Sequence, residues 1–221
     1  MFAKQHSKFF YGITAAVCFC ISLPLLAELD ITQQILDKIE AKYSKVARKR
    51  VESWQQLIEV SKALSDEEKL NAVNDFFNGN VLFINDLALW EKEDYWATPL
   101  EFLSIGAGDC EDYSIAKYFT LKRLGVDEEK LRITYVKAIN LGQAHMVLTY
   151  FETKRSIPLV LDNLITEIKP ANLRTDLVPV YSFNGEGLWL SKSRGSGNKR
   201  VGDSSRLSLW EDLEHRMEEN L

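Results

Sequence analysis

The apolar residues of this chain change their period once, near Gly125, and that switch decides the fold class. Upstream they recur every three or four residues. Tyr43, Val46, Ala47, Val51, Trp54, Leu57 and Ile58 share one face of a helical region, residues 30–77, whose opposite side carries Lys and Arg. Downstream the period is two. Residues 131–139, 145–151 and 158–162 read as strands, with a turn at 140–142, and 178–183 with 187–190 read as a hairpin around Asn184-Gly185. Helices followed by antiparallel strands predict an α+β fold.

Punctuation residues refine the helical half. Ser65 followed by Glu68 forms the pattern of a capping box that opens a helix over 66–78, with Gly79 as its stop. Residues 82–96 are aromatic-rich and irregular. Thr98-Pro99 opens a short helix to Leu103, because proline suits the first turn. Gly106 and Gly108 then interrupt the chain. A helix follows over 110–124, with Ile115, Ala116, Phe119 and Leu124 as its buried stripe and Gly125 as its end. Residues 191–205 are rich in Gly, Ser, Lys and Arg and read as a mobile loop; 208–219 read as an amphipathic helix carrying Leu209, Trp210, Leu213 and Met217.

The first 27 residues have the layout of an export signal: Lys4, His6 and Lys8, then an uncharged run from Phe9 to Leu26, then Ala27. Leu25 fits a small-residue cleavage site poorly, and the run is long enough to serve as an uncleaved inner-membrane anchor instead. Either way the expected location is the periplasm. The domains expected are thus a signal over 1–27, one globular domain over 28–190, and a basic loop with a helix over 191–221. A net charge of −5 gives no basic face for nucleic acid.

Removal of the signal leaves one cysteine, Cys110, of the three in the chain. Exported proteins carry cysteines in pairs, so a lone one is either a small buried hydrophobe or a working thiol. Gly106-Ala-Gly-Asp-Cys-Glu-Asp sets Cys110 at the first turn of a helix. There the unpaired N–H groups and the dipole favour a thiolate and can serve an oxyanion. The chain has three histidines. His6 belongs to the signal, and His215 sits among charges in the last helix. His145 opens a strand and shares a face with Val147, Thr149 and Phe151; it is either a core histidine or the base for Cys110. Asp162 ends a strand, where it can orient that base or open an Asx turn with Asn163.

Asp109, Glu111 and Asp112 crowd the thiol. Asp109 as helix cap and Asp112 as a dipole complement are the plain readings. Yet three carboxylates raise a thiol's pKa, and a hard cation such as calcium would offset them. Trp96, among the aromatics of Tyr95–Phe102, either packs in the core or lines a cleft beside the thiol.

Tyr95-Trp-Ala-Thr-Pro99, Gly108-Asp-Cys-Glu-Asp-Tyr113, Ile115-Ala-Lys-Tyr118, Ala144-His-Met146 and Leu161-Asp-Asn163 together resemble the bacterial transglutaminase-like cysteine proteinases, over about residues 36–190. The resemblance implies a papain-like, transglutaminase-like core. In it the nucleophile helix packs on an antiparallel sheet, Cys110 is the nucleophile, His145 the general base and Asp162 its orienter. It also implies calcium beside the site, with Asp109 and Glu111 as ligands and the Tyr113 carbonyl as a further candidate. Ser114 stands where the family pattern has alanine. Proteases of this type cut the N-terminal region of a large surface adhesin, near paired alanines, and so disperse biofilm. The periplasmic domain of an inner-membrane receptor for cyclic di-GMP sequesters them. Acyl transfer to an amine and a non-catalytic binding module are the competing readings on the same core.

Overall fold

The computed structural model describes residues 31–191 and 199–219. The signal at 1–27 and part of the basic loop lie outside the described residues, among which no helix is long and apolar enough to cross a membrane.

Three helices lead: α1 (Gln33–Lys42), α2 (Lys45–Ser61) and α3 (Asp66–Asn80). The continuous stripe read from the sequence is broken. Tyr43 closes α1, and the Ser44 hydroxyl accepts from the Ala47 N–H to open α2. Tyr43 and Val46 therefore sit in the joint and face solvent, while Ala47, Val51, Trp54 and Ile58 are buried. The expected capping box at Ser65 and Glu68 is present, but Gly79 does not stop the helix, which runs on to Asn80. The stretch 82–96 also holds more order than expected: strand β1 (Leu82–Phe83) and helix α4 (Asp86–Trp90).

Helix α5 (Pro99–Ile105) opens on a second capping box, between Thr98 and Glu101. It ends at Gly106, whose φ of +79° no β-carbon tolerates well, and a side chain there would also strike the Arg50 guanidinium. Strand β2 (Ala107–Gly108) then pairs parallel with β1 and delivers the chain to helix α6 (Cys110–Arg123). Helix α6 is buried almost all round, between α3 and α5 on one side and the sheet on the other. Its buried Thr120 is accordingly bonded: the hydroxyl accepts from Trp54 Nε1 at 2.9 Å and donates to the Ala116 carbonyl at 2.7 Å.

The sheet follows: β3 (Leu131–Ala138), β4 (Gln143–Tyr150), β5 (Leu159–Leu161), β6 (Lys169–Pro170), β7 (Leu177–Asn184), β8 (Gly187–Leu190) and β9 (Lys199–Gly202). These form one seven-stranded antiparallel sheet in the order β6-β5-β4-β3-β7-β8-β9. Strand β9 and a 3-10 turn at Ser204–Arg206 correct the reading of 191–205 as a loop. The alternation along β4 holds as expected: Met146, Leu148 and Tyr150 join the main core, and Val147 joins a smaller cluster with Val136 and Val160 on the other face.

Helix α7 (Ser208–Glu219) returns to the core. Trp210 is fully buried, stacked on Phe119 and edge-on to Tyr118 and Phe183. Arg216, one turn and a half further, donates to the Trp96 carbonyl at 2.6 Å and to Glu101 at 2.7 Å. The end of the chain thus holds the segment just upstream of α5.

Candidate active site

Cys110 is the first residue of α6, and the glycine before it is obligatory for packing. A β-carbon at Gly108 would collide with Asp112 Oδ2 and the Phe102 ring. The thiol lies where α6 meets β4 and accepts a hydrogen bond from the Met146 N–H, one residue from His145. It donates to Glu111 Oε2 at 2.9 Å. Burial, and after it the Glu111 charge and that hydrogen bond, push the thiol well above its usual range.

His145 is buried on β4, and its Nε2 lies 2.8 Å from Asp162 Oδ1, across the ladder at the end of β5. Oδ1 also accepts from the Leu164 N–H at 3.0 Å, so the Asx turn and the pairing with His145, weighed as alternatives, exist together. Arg174 Nη2 donates to Asp162 Oδ2 at 2.7 Å. Burial alone would raise this carboxyl. The hydrogen bond from His145, then those from Leu164 and Arg174, outweigh it and hold Asp162 at about 2. An ionised carboxylate only accepts, so Nε2 carries the proton and Nδ1 is left for another partner.

A second buried cation supports this corner from α6. The Lys117 amine, 1% exposed, donates to Asn74 Oδ1 and Asn78 Oδ1, both at 2.9 Å. With their oxygens fixed, the two amides turn their NH2 groups outward, to the carbonyls of Thr166 and Asp162. Burial pulls the Lys117 amine down to about 7.

On the other side of Cys110 the charges are all negative. The β1–β2 pairing brings Asp86, at the start of α4, against Asp109, whose carboxylate accepts from the Asp86 N–H. Asp86, Asp109 and Asp112 form one cluster with ligand atoms within 4.8 Å of one another, and Asp86, Asp94 and Glu111 form another. Asp109 is the N-cap residue of α6 and pairs with Asp112 at N3 in a capping box, as the plain reading of its position has it. Asp112 turns back, accepting from the Asp109 and Ala97 N–H groups at 3.2 and 2.7 Å. Asp86 Oδ2 accepts from the Tyr95 N–H, but Asp86 Oδ1 and Asp109 Oδ1 are buried without a partner.

Burial drives these carboxyls up: Asp86 to about 6 and Asp109, which also shares a hydrogen bond with Glu111, to about 8. Glu111 and Asp112 rise as well, chiefly by burial. Oxygen-only donors, two of them orphaned, fit a hard cation such as calcium. Asp86 and Asp94 were not anticipated from sequence, and the cap at Asn85 gave no sign of them. Trp96 is 4% exposed and stacks on Phe183, so it is a core residue.

A half-buried cysteine opening a core helix, against a strand that pairs His with Asp, defines a transglutaminase-like cysteine protease fold. The model of the bacterial transglutaminase-like cysteine proteinases matches residues 37–183, and the chain belongs to that family. Among solved structures it is similar to LapG of Legionella pneumophila. The EGTA-treated form is 44% identical, with a TM-score of 0.74 over 83% of this chain and 96% of that one. The calcium-bound form is 43% identical, with a TM-score of 0.71 over 83% and 98%. No curated protein matches the chain.

Proposed function

We propose that this protein is a calcium-dependent, exported cysteine endopeptidase with Cys110 as nucleophile, His145 as general base and Asp162 as its orienter. The observation that carries the reading is the seam itself: the Met146 N–H on Cys110 Sγ, beside a His145 whose Nε2 is committed to Asp162. His145 Nδ1 takes the thiol proton as sulfur attacks the scissile carbonyl. The N–H groups at the start of α6 receive the oxyanion. The imidazolium gives its proton to the departing amine, and water activated by the same ring releases the acyl group.

Asp86, Asp94, Asp109 and Glu111 would hold the calcium, whose charge offsets the acids that otherwise keep the thiol protonated. The calcium-bound and EGTA-treated forms of LapG support this. By family resemblance the substrate is the N-terminal region of a large surface adhesin, and the regulator is the periplasmic domain of a cyclic di-GMP receptor. The lysine-led apolar start of the chain supports export.

The test is incubation of the full chain with surface proteins of the same cell, with and without EGTA, followed by N-terminal sequencing of fragments. Discrete, calcium-dependent cleavage that Cys110→Ala abolishes is expected. Cleavage by the alanine variant would refute the assignment.

A further inference from the structure

Asp162 is held by more than the imidazole. Arg174 is 2% exposed and already neutralised by Asp176, to which its Nε and Nη2 donate at 3.0 and 2.8 Å. That bidentate pair neutralises the guanidinium, whose Nη1 is buried without a partner. Nη2 is nevertheless shared with Asp162 Oδ2 at 2.7 Å. The backbone around Arg174 is fixed too. Its N–H bonds the Ala171 carbonyl, its carbonyl accepts from the Leu177 N–H, and the Asp176 carbonyl accepts from the Ile139 N–H of the β3–β4 turn.

We propose that Arg174 is a positioning residue: it fixes the plane of the Asp162 carboxylate, and through it the ring of His145 with Nδ1 presented to the thiol. The proposal rests on the triad reading of Cys110, His145 and Asp162. A carboxylate bonded through Oδ1 alone turns about its Cβ–Cγ bond, because terminal sp3–sp2 torsions are broad. Binding Oδ2 from a rigid fork removes that freedom. The two oxygens then have separate duties, Oδ1 toward His145 and Leu164, Oδ2 toward Arg174. Lys117 and Asn78 add a backbone restraint from α6 and α3, but among the described residues only Arg174 hydrogen-bonds the second carboxylate oxygen. A ring so held keeps one tautomer, since Nε2–H has its acceptor fixed in place.

The test is long-range proton–nitrogen NMR of the histidine side chains in the calcium-loaded full chain, with His145 assigned by its loss in His145→Gln. The wild type is expected to show one tautomer, with Nε2–H slow to exchange. In Arg174→Gln the other tautomer rises to about a tenth of the signal or more, and Nε2–H exchanges about tenfold faster. Arg174→Lys keeps the charge but not the fork and falls between the two; if Arg174→Gln does not fold, Arg174→Lys decides alone. His145 signals in the folded variants that superpose on the wild type would overturn the proposal and leave Arg174 a staple of the segment 171–177. Because this readout does not depend on cleavage, a failure of the triad reading shows separately, as cleavage that survives Cys110→Ala.

Discussion

The two sides of Cys110 solve the same problem, buried carboxylates, in opposite ways. On the β4–β5 side Asp162 is met by His145 and Arg174, with Lys117 nearby, and is held at about 2. On the β1–α4 side Asp86, Asp94, Asp109, Glu111 and Asp112 crowd together, with Asp86 pushed to about 6 and Asp109 to about 8. The first side is complete within the chain. The second is complete only when something positive arrives from solution. A buried charge is tolerable when paired and costly when alone, so the Cys110 half of the site carries the dependence and the His145 half does not.

The largest expected effect breaks the complete side. Asp162→Asn should lower kcat by about three to four orders of magnitude, as losing the orienter of an imidazole does in triad enzymes. Circular dichroism should show the fold kept, and near-wild-type turnover would dissolve the comparison. Next comes the incomplete side: EGTA should remove activity and calcium restore it, whereas in Asp86→Asn the calcium needed for half-maximal activity should rise by about tenfold or more.

Stability against pH separates the sides by sign. Asp86 and Asp109 have folded pKa values raised above the unfolded 3.8, so they bind protons more tightly in the native state. Their contribution is greatest at low pH and declines as pH rises from 3.8 through about 6 for Asp86 and about 8 for Asp109. Asp162 is depressed, so its contribution is present above 3.8 and lost as pH falls toward about 2. Thermal unfolding with calcium and with EGTA should therefore diverge as pH rises from about 5 to 7. A constant gap would mean that the acids are not the calcium ligands. The smallest effect is Lys117→Met. It removes a buried amine already pulled down to about 7, so stability should change by less than about 1.5 kcal/mol. Turnover should fall by about tenfold or less, as Asn78 loses its hold on the loop after β5.

What was readable in the sequence follows the range of the interactions. The capping box at Ser65, the helix start at Thr98-Pro99, the helix from Cys110 and the alternation along β4 are local, and the structure has them. The closeness of His145 and Asp162 was accessible because short strands left few registers. The joint at Tyr43-Ser44 was hidden because apolar spacing ran across it in phase. Strand β9 was hidden because its Gly- and Ser-rich surroundings read as loop, whereas its pairing with β8 is tertiary. Asp86, Asp94, Arg174 and Lys117 escaped notice as site residues because each reaches the site through packing, with no pattern linking it to Cys110.

Helix α7 is the last element described, yet its Arg216 clasps the Trp96 carbonyl in the segment whose Tyr95 and Ala97 N–H groups bond Asp86 and Asp112. On the ribosome, residues 95–97 emerge long before the guanidinium that fastens them. The flank of the cysteine therefore lacks this fastening until α7 has docked.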